Sequence, residues 1–226
     1  MVFGRKKECA SNIKFDGISL EKVMFTKFLG VYIDHQFNWK IHIKHISMKM
    51  AKAVGVMYKI RNKVDNHILI MLYNTLILPH LTYCNDIWGN TYYSRIHNLV
   101  LLQKRVIRII GNAGYRDHTS SIFQKFKILK LQDLIKLQTC ILMFKANKGS
   151  LPSNIQLNFV KNQDVHKYNT RQKNDFFCPQ VSTKLRKMSV NKSGINVWNE
   201  LPTYIKDCKS ISKFKKCIKL LLLNNY

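Results

Sequence analysis

Residues 28–50 read FLGVYIDHQFNWKIHIKHISMKM, and the spacing of the apolar residues changes inside this stretch. Phe28 to Ile33 is a strand-like run, and Asp34 is placed to end a strand. From Trp39 the period is helical. Ile43, Ile46, Met50, Val54 and Met57 recur at steps of three and four, which puts them on one helix face, with Lys40, Lys44 and Lys52 off it. A small β element therefore precedes a helical body. Upstream, Val23 to Phe25 is also strand-like. Ile13-Lys14-Phe15 and Ile18-Ser19-Leu20 flank Asp16-Gly17, a two-residue hairpin signal because glycine accepts the positive φ of such a turn. So little sheet needs a partner layer to bury its apolar face.

Downstream the pattern stays helical. A second helix is expected after Asp65, through His67 to about Leu78; it is apolar nearly all round and so reads as the buried centre of a bundle, with Pro79 ending or kinking it. A third is expected from about Ser94 to Ile110, stopped by Gly111. It carries Ile96, Leu99, Leu102, Val106 and Ile110 on one face, and His97, Lys104, Arg105 and Arg108 on the other. A short helix over 120–126 and a longer one over 131–148, closed by Gly149, follow. Residues 150–190 are polar and lack period; they read as a linker or extended segment, with a short strand pair between Val181 and Val190. The final helix starts at Ser210. Phe214, Ile218, Leu221 and Leu222 form its core stripe, and Lys213, Lys215, Lys216 and Lys219 lie opposite. Trp39, Trp88 and Trp198 read as core anchors.

Charge is the strongest functional signal. Thirty-eight Lys and Arg face 12 acidic residues in a 226-residue chain, a formal net charge of +26. Residues 91–148 hold 11 basic and 2 acidic residues, and residues 149–226 hold 14 and 4, so the charge is concentrated in the second half. A polyanion relieves such self-repulsion, which makes nucleic acid the leading partner, with an anionic membrane surface behind it. Cysteines 9, 84, 140, 178, 208 and 217 form no Cys-x-x-Cys pair and read as reduced thiols of an intracellular protein. Arg5-Lys6-Lys7 is followed by polar residues, unlike a signal peptide, and no apolar run reaches the ~18–20 residues of a membrane span.

Residues for chemistry are sparse. No two acidic residues are adjacent, whereas two-metal phosphoryl transfer needs clustered carboxylates. His42 and His45 lie three apart without a third ligand at metal spacing, and Cys84 near His80 lacks an orienting third group. Binding is better served. The His97, Lys104, Arg105 and Arg108 face is suited to tracking phosphates; its plainer reading is a solvated helix side. His166, Tyr168 and Arg171 lie in a segment without core period and form a second candidate. Lys213, Lys216 and Lys219 are the third.

Several segments carry a family resemblance. Lys27-Phe28-Leu29-Gly30-Val31-x-Ile33-Asp34 with Trp39-x-x-His42-Ile43 resembles the end of the palm in reverse transcriptases of non-LTR retrotransposons (LINE, jockey-like). Leu72-Tyr73-x-x-Leu76-Ile77-x-Pro79-His80-Leu81-x-Tyr83, then Trp88-Gly89, is similar to the thumb region. Leu102-Gln103-Lys104-Arg105-x-Ile107-Arg108-Ile109-Ile110 resembles the basic helix that follows. His166-x-Tyr168-x-Thr170-Arg171 and Gly194-Ile195-x-x-Trp198-Asn199-x-Leu201-Pro202 resemble the C-terminal part, as does Ser210 through Phe214.

The resemblance implies a mainly α fold: a helical thumb-like bundle preceded by a small β-hairpin and strand remnant of a palm, with a basic helical lobe at the C-terminus. It divides the chain into a palm edge over 1–37, a thumb-like domain over 38–149, a polar linker over 150–190 and a C-terminal helical region over 191–226. Phe28, Leu29 and Gly30 then correspond to a primer-grip-like turn, where glycine permits close backbone approach or simply kinks a strand. Met1-Val2-Phe3-Gly4 resembles the segment just after the catalytic strands, so the Mg-binding Asp pair of such enzymes is expected upstream. The expectation is a non-catalytic chain without cofactor that binds RNA or an RNA–DNA hybrid, with the palm and fingers of the parent enzyme as a further partner. Its setting is an intracellular ribonucleoprotein, nuclear or cytoplasmic. The other readings are an independent, domesticated nucleic-acid-binding or scaffold protein, and a helical interaction or membrane-surface module.

Overall fold

The computed structural model describes residues 13–166, 168 and 170–226. The sequence readings on Met1–Gly4, Arg5–Lys7 and Cys9 lie outside the described residues. The fold is mainly α with two small antiparallel hairpins, as the sequence predicts. In the first hairpin β1 (Lys14–Phe15) pairs with β2 (Ile18–Ser19), and Asp16 and Gly17 take φ of 52° and 79°. That is the mirror-image turn that suits the right-handed twist of paired strands.

The second hairpin corrects the reading of 28–33 as one strand. β3 (Phe25–Phe28) pairs with β4 (Val31–Asp34), and the chain reverses at Leu29 and Gly30, with φ of 45° and 83°. Pairing Phe28 with Val31 leaves two residues for the turn, which both need positive φ. The Tyr83 hydroxyl donates to the Leu29 carbonyl at 2.5 Å and holds the turn against the helical body. Asp34 does more than end a strand. Its buried carboxylate accepts the backbone N–H groups of Gln36, Asn38 and Trp39 at 2.8–3.1 Å, and so shapes the loop into the first helix.

Helix α1 (Lys40–Ile60) buries the whole stripe Ile43, Ile46, Met50, Val54 and Met57. Next come α2 (Asn66–Leu72), a π-helical turn (Tyr73–Ile77) and α3 (Leu78–Thr82). Pro79 does not end this run. A proline ring collides with the carbonyl four residues back, and the wider π turn relieves that collision. The Thr75 hydroxyl donates to the carbonyls of Met71 and Leu72 at 3.0 and 3.3 Å. Nor is the run buried all round. Leu69, Tyr73, Ile77 and Leu81 form one buried line at four-residue steps, while Ile68, Met71 and Leu76 face outward. Apolar composition alone does not distinguish a central helix from one covered on a single side.

After α4 (Asn85–Trp88), helix α5 (Tyr93–Ile110) runs to Gly111 and packs along α1, followed by α6 (Ser120–Lys125) and α7 (Leu131–Asn147). Gly149 closes α7 at φ 64°. A side chain on Gly89 would strike Ile135 at 2.7 Å, so α7 passes close to α4 there. The polar stretch beyond 150 forms α8 (Ser153–Gln156) and α9 (Asn162–Val165), then a loop whose base is closed by the Lys161–Phe176 bridge. The strand pair expected between Val181 and Val190 is absent; α10 (Lys184–Met188), capped by Thr183, lies there, and only its own short-range bonds are needed to form it. Phe159 and Phe176 leave this stretch for the core beside Trp198. The chain ends with α11 (Val190–Asn199), α12 (Thr203–Lys206) and α13 (Ile211–Leu223), whose first turn is capped by the Ser210 hydroxyl accepting the Lys213 N–H. Helices α11 and α13 pack on α7, and Phe214 stacks on Phe144 with centroids 4.5 Å apart. One hydrophobic core runs from Val31 to Leu223, with Trp39, Trp88 and Trp198 all inside it.

Candidate nucleic-acid interface

Helices α1 and α5 lie side by side and run in the same direction, because the start of α1 faces the start of α5 and the two ends meet likewise. Two clefts follow their seam and share Ala51. The first, about 730 Å³, is lined by Lys40, Lys44 and Arg95 around Ser47 and Asn98. The second, about 490 Å³, is lined by Arg61, Arg105 and Arg108 with Tyr58 and Tyr115 around Gly55. No Asp or Glu lines either cleft. Arg61 lies over the Tyr58 ring at 4.1 Å. The Arg95 guanidinium donates to the Asn38 carbonyl and the Arg108 Nε to the Asp117 carbonyl, so both are oriented without losing charge. Among the described residues the one ion pair is Lys206–Asp175 at 2.9 Å, so these cations have no carboxylate partner. Six guanidinium and ammonium groups thus line one seam, and charge of this kind is what pairs with phosphate oxygens.

The structure divides the basic face of α5. Arg105 and Arg108 turn toward α1. Lys104 instead lines a smaller cavity of about 180 Å³ with His118, Thr119 and Lys130, and His97 is exposed with its ring against Tyr93 at 5.3 Å. Gln103, between them in sequence, is buried and structural. Its amide nitrogen donates to the Tyr73 hydroxyl and the Leu129 carbonyl at 3.0 and 2.9 Å, and its oxygen accepts the Leu131 N–H at 2.8 Å. Arg61, Arg95, Tyr58 and Tyr115 were not singled out from the sequence. They sit at helix ends and in a loop, where no local period marks them.

The other candidates stand apart from this seam. Tyr168 and Arg171 are exposed on the loop closed by the Lys161–Phe176 bridge, with the half-buried His166 ring 6.1 Å from that of Tyr168. Lys213, Lys216 and Lys219 are exposed on α13. At the tip of the second hairpin Phe28 and Leu29 are exposed, and Gly30 borders a cavity of about 300 Å³ lined by His42, His45, Lys49, His80 and Tyr83.

That cavity brings His80 to the His42–His45 pair. Burial, and then the neighbouring His45, lowers the His42 pKa to about 4, so its ring is neutral at pH 7. Its Nδ1 accepts the Tyr32 N–H at 3.4 Å. Burial followed by Lys49 also lowers His45 and His80. Among the described residues no group of three His, Cys, Asp or Glu side chains is placed to hold a metal ion. Burial and then Asp86 raise the Cys84 pKa, the reverse of what an activated thiolate needs. Among the described residues no helix is long and apolar enough to cross a membrane.

Comparison with known proteins gives three related matches. The chain is 24% identical over 141 residues to the RNA-directed DNA polymerase from mobile element jockey of Drosophila melanogaster, covering 61% of this chain and 15% of that protein. It is 23% identical over 127 residues to the jockey polymerase of Drosophila funebris, covering 55% and 14%. It is 21% identical over 136 residues to the probable RNA-directed DNA polymerase from transposon X-element of Drosophila melanogaster, covering 59% and 15%. The matched part thus spans about 15% of the length of these relatives. No protein-family model and no solved structure matches.

Proposed function

We propose that this relative of the jockey and X-element polymerases is the thumb-like and C-terminal part of a non-LTR reverse transcriptase, and that it binds RNA or an RNA–DNA hybrid without extending a primer by itself. The observation that carries this reading is the α1–α5 seam, where Lys40, Lys44, Arg61, Arg95, Arg105 and Arg108 stand without a carboxylate partner. Each cation that neutralises a phosphate releases a counterion, and that release drives binding. Arg105 and Arg108 belong to the segment that resembles the basic helix of the family, and this supports the reading. The Phe28–Leu29–Gly30 turn is assigned the primer-grip-like position, the His166–Arg171 loop and the α13 lysines secondary contacts, and an intracellular ribonucleoprotein is the setting. The absence of paired carboxylates in the sequence supports a binding rather than a polymerising role.

Titrating labelled RNA and an RNA–DNA hybrid at several salt concentrations tests this. Affinity is expected to fall steeply with salt. Replacing Lys44 and Arg105 together by glutamine is expected to flatten the log–log slope by about 0.7–0.9 per charge removed. Retention on neither ligand at low salt refutes the binding role, and primer extension by the chain alone refutes the non-polymerase role.

A further inference from the structure

We propose that the α1–α5 seam is a single-strand channel: it takes one unpaired RNA strand, with Gly55 and Ser47 on its floor, rather than the face of a duplex. This deepens the nucleic-acid reading and rests on it.

Gly55 lies inside α1, five residues before its last residue Ile60, where a glycine costs about 1 kcal/mol relative to alanine. Nothing in the fold repays that cost. Its φ is not in the left-handed region, and a side chain built on it meets no atom within 4 Å. The space above it is the second cleft, between Tyr58 and Arg105. Helical glycines that serve packing look different: a Cβ on Gly194 would meet Met143 and Val190 at 3.1 Å. Gly55 keeps open a space that the protein itself does not fill.

Ser47 makes the same point in the first cleft. It is 7% exposed, its hydroxyl has no hydrogen-bond partner, and it lines the floor below Lys44 and Arg95. A buried hydroxyl left unpaired is costly, and a turn of the Ser47 side chain toward the cleft would let a phosphate or ribose oxygen satisfy it. Ser47, Ala51 and Gly55 follow each other at four-residue steps, so the floor is continuous from one cleft to the next.

Shape selects the strand. Packed helix axes lie roughly 8–10 Å apart, so the furrow between them is too narrow for a double helix to reach the floor but admits one backbone. The 21 residues of α1 extend about 30 Å, room for on the order of five nucleotides, near the lower end of single-strand site sizes. Cations occupy both ends of the seam, and at the second cleft the exposed ring of Tyr115 and the face of Tyr58 opposite Arg61 offer surfaces on which unpaired bases stack.

The test uses the whole chain with a labelled 12-nucleotide single-stranded RNA, the matching RNA duplex and the RNA–DNA hybrid, at about 150 mM salt. Tighter binding of the single strand is expected. Gly55→Leu fills the floor and improves helix propensity, so it is expected to leave Tm unchanged or raised while weakening single-strand binding at least tenfold and duplex binding less than twofold. Tyr58→Ala, at an exposed ring whose removal does not threaten folding, is expected to weaken single-strand binding about fivefold or more. Should Gly55→Leu lower Tm, Gly55→Ala with Tyr58→Ala decides. Unchanged single-strand affinity in the stably folded variants overturns the channel. Equal loss on duplex and single strand also overturns it, by making the seam a duplex surface. Loss of all retention in the unmodified chain refutes the nucleic-acid reading itself, a distinct result.

Discussion

At the scale of single residues, the most informative position is Gln103. In sequence it stands between two leucines and two cations and looks like part of a basic run. In the structure it joins the π turn, α5 and the start of α7 through three hydrogen bonds. Gln103→Leu is therefore expected to cost about 2–4 kcal/mol in chemical denaturation, since it leaves the Tyr73 hydroxyl and the Leu131 N–H buried without partners. His42 gives a pH signature. Its folded pKa, about 4, lies below the ordinary value of 6.5, so the unfolded chain binds the extra proton between those values. The contribution is fully present above pH 6.5, declines as pH falls to about 4, and is flat below; its span is at most about 3 kcal/mol. Denaturation between pH 4 and 7 measures it, and His42→Gln is expected to flatten the profile. An unchanged slope in that variant would assign the effect to another group.

At the scale of elements, local signals and tertiary context divide the work. The stripe of α1, the stop of α5 at Gly111, the Gly149 cap and the Ser210 cap were all legible, because each depends on residues within a turn or two. The second hairpin was not. Leucine at positive φ carries no sequence signal, and the Leu29–Gly30 turn is held by Tyr83, 54 residues away. Tyr83→Phe keeps the ring and removes the hydroxyl. It is expected to destabilise the protein by about 1 kcal/mol and to speed amide exchange over Phe25–Asp34 more than over α1. Uniform acceleration would show that the contact supports the whole fold rather than the hairpin. Of the two outcomes that the sequence leaves open at Pro79, an end or a kink, the helix takes the one that continues, after a π turn over Tyr73–Ile77.

At the scale of the molecule, burial is uneven. The described residues of the first hairpin and all of β3 are exposed, while the core runs from Val31 to Leu223. Limited trypsin digestion is expected to cut at Lys14, Lys22 and Lys27 first and to leave a resistant body from about Trp39. Equal protection throughout would mean that a partner or a second copy covers the hairpins. The same body contains the C-terminal helices, since Phe144, Trp198 and Phe214 pack together. The polar segment between them, which has no period of its own, joins the core through two phenylalanines that a pattern search does not register.

The sequence by itself determined the helical class, the individual amphipathic faces, the excess of positive charge and the likeness to non-LTR reverse transcriptases, because composition and period are local properties of a chain. Only the tertiary structure decided that α1 and α5, some 30 residues apart, lie parallel and gather cations from both into one seam. It alone separated Lys104 from Arg105 and Arg108, and left the space above Gly55 open. The physical reason is that a cleft is defined by the atoms that do not meet across it, and which atoms those are depends on packing between residues distant in sequence.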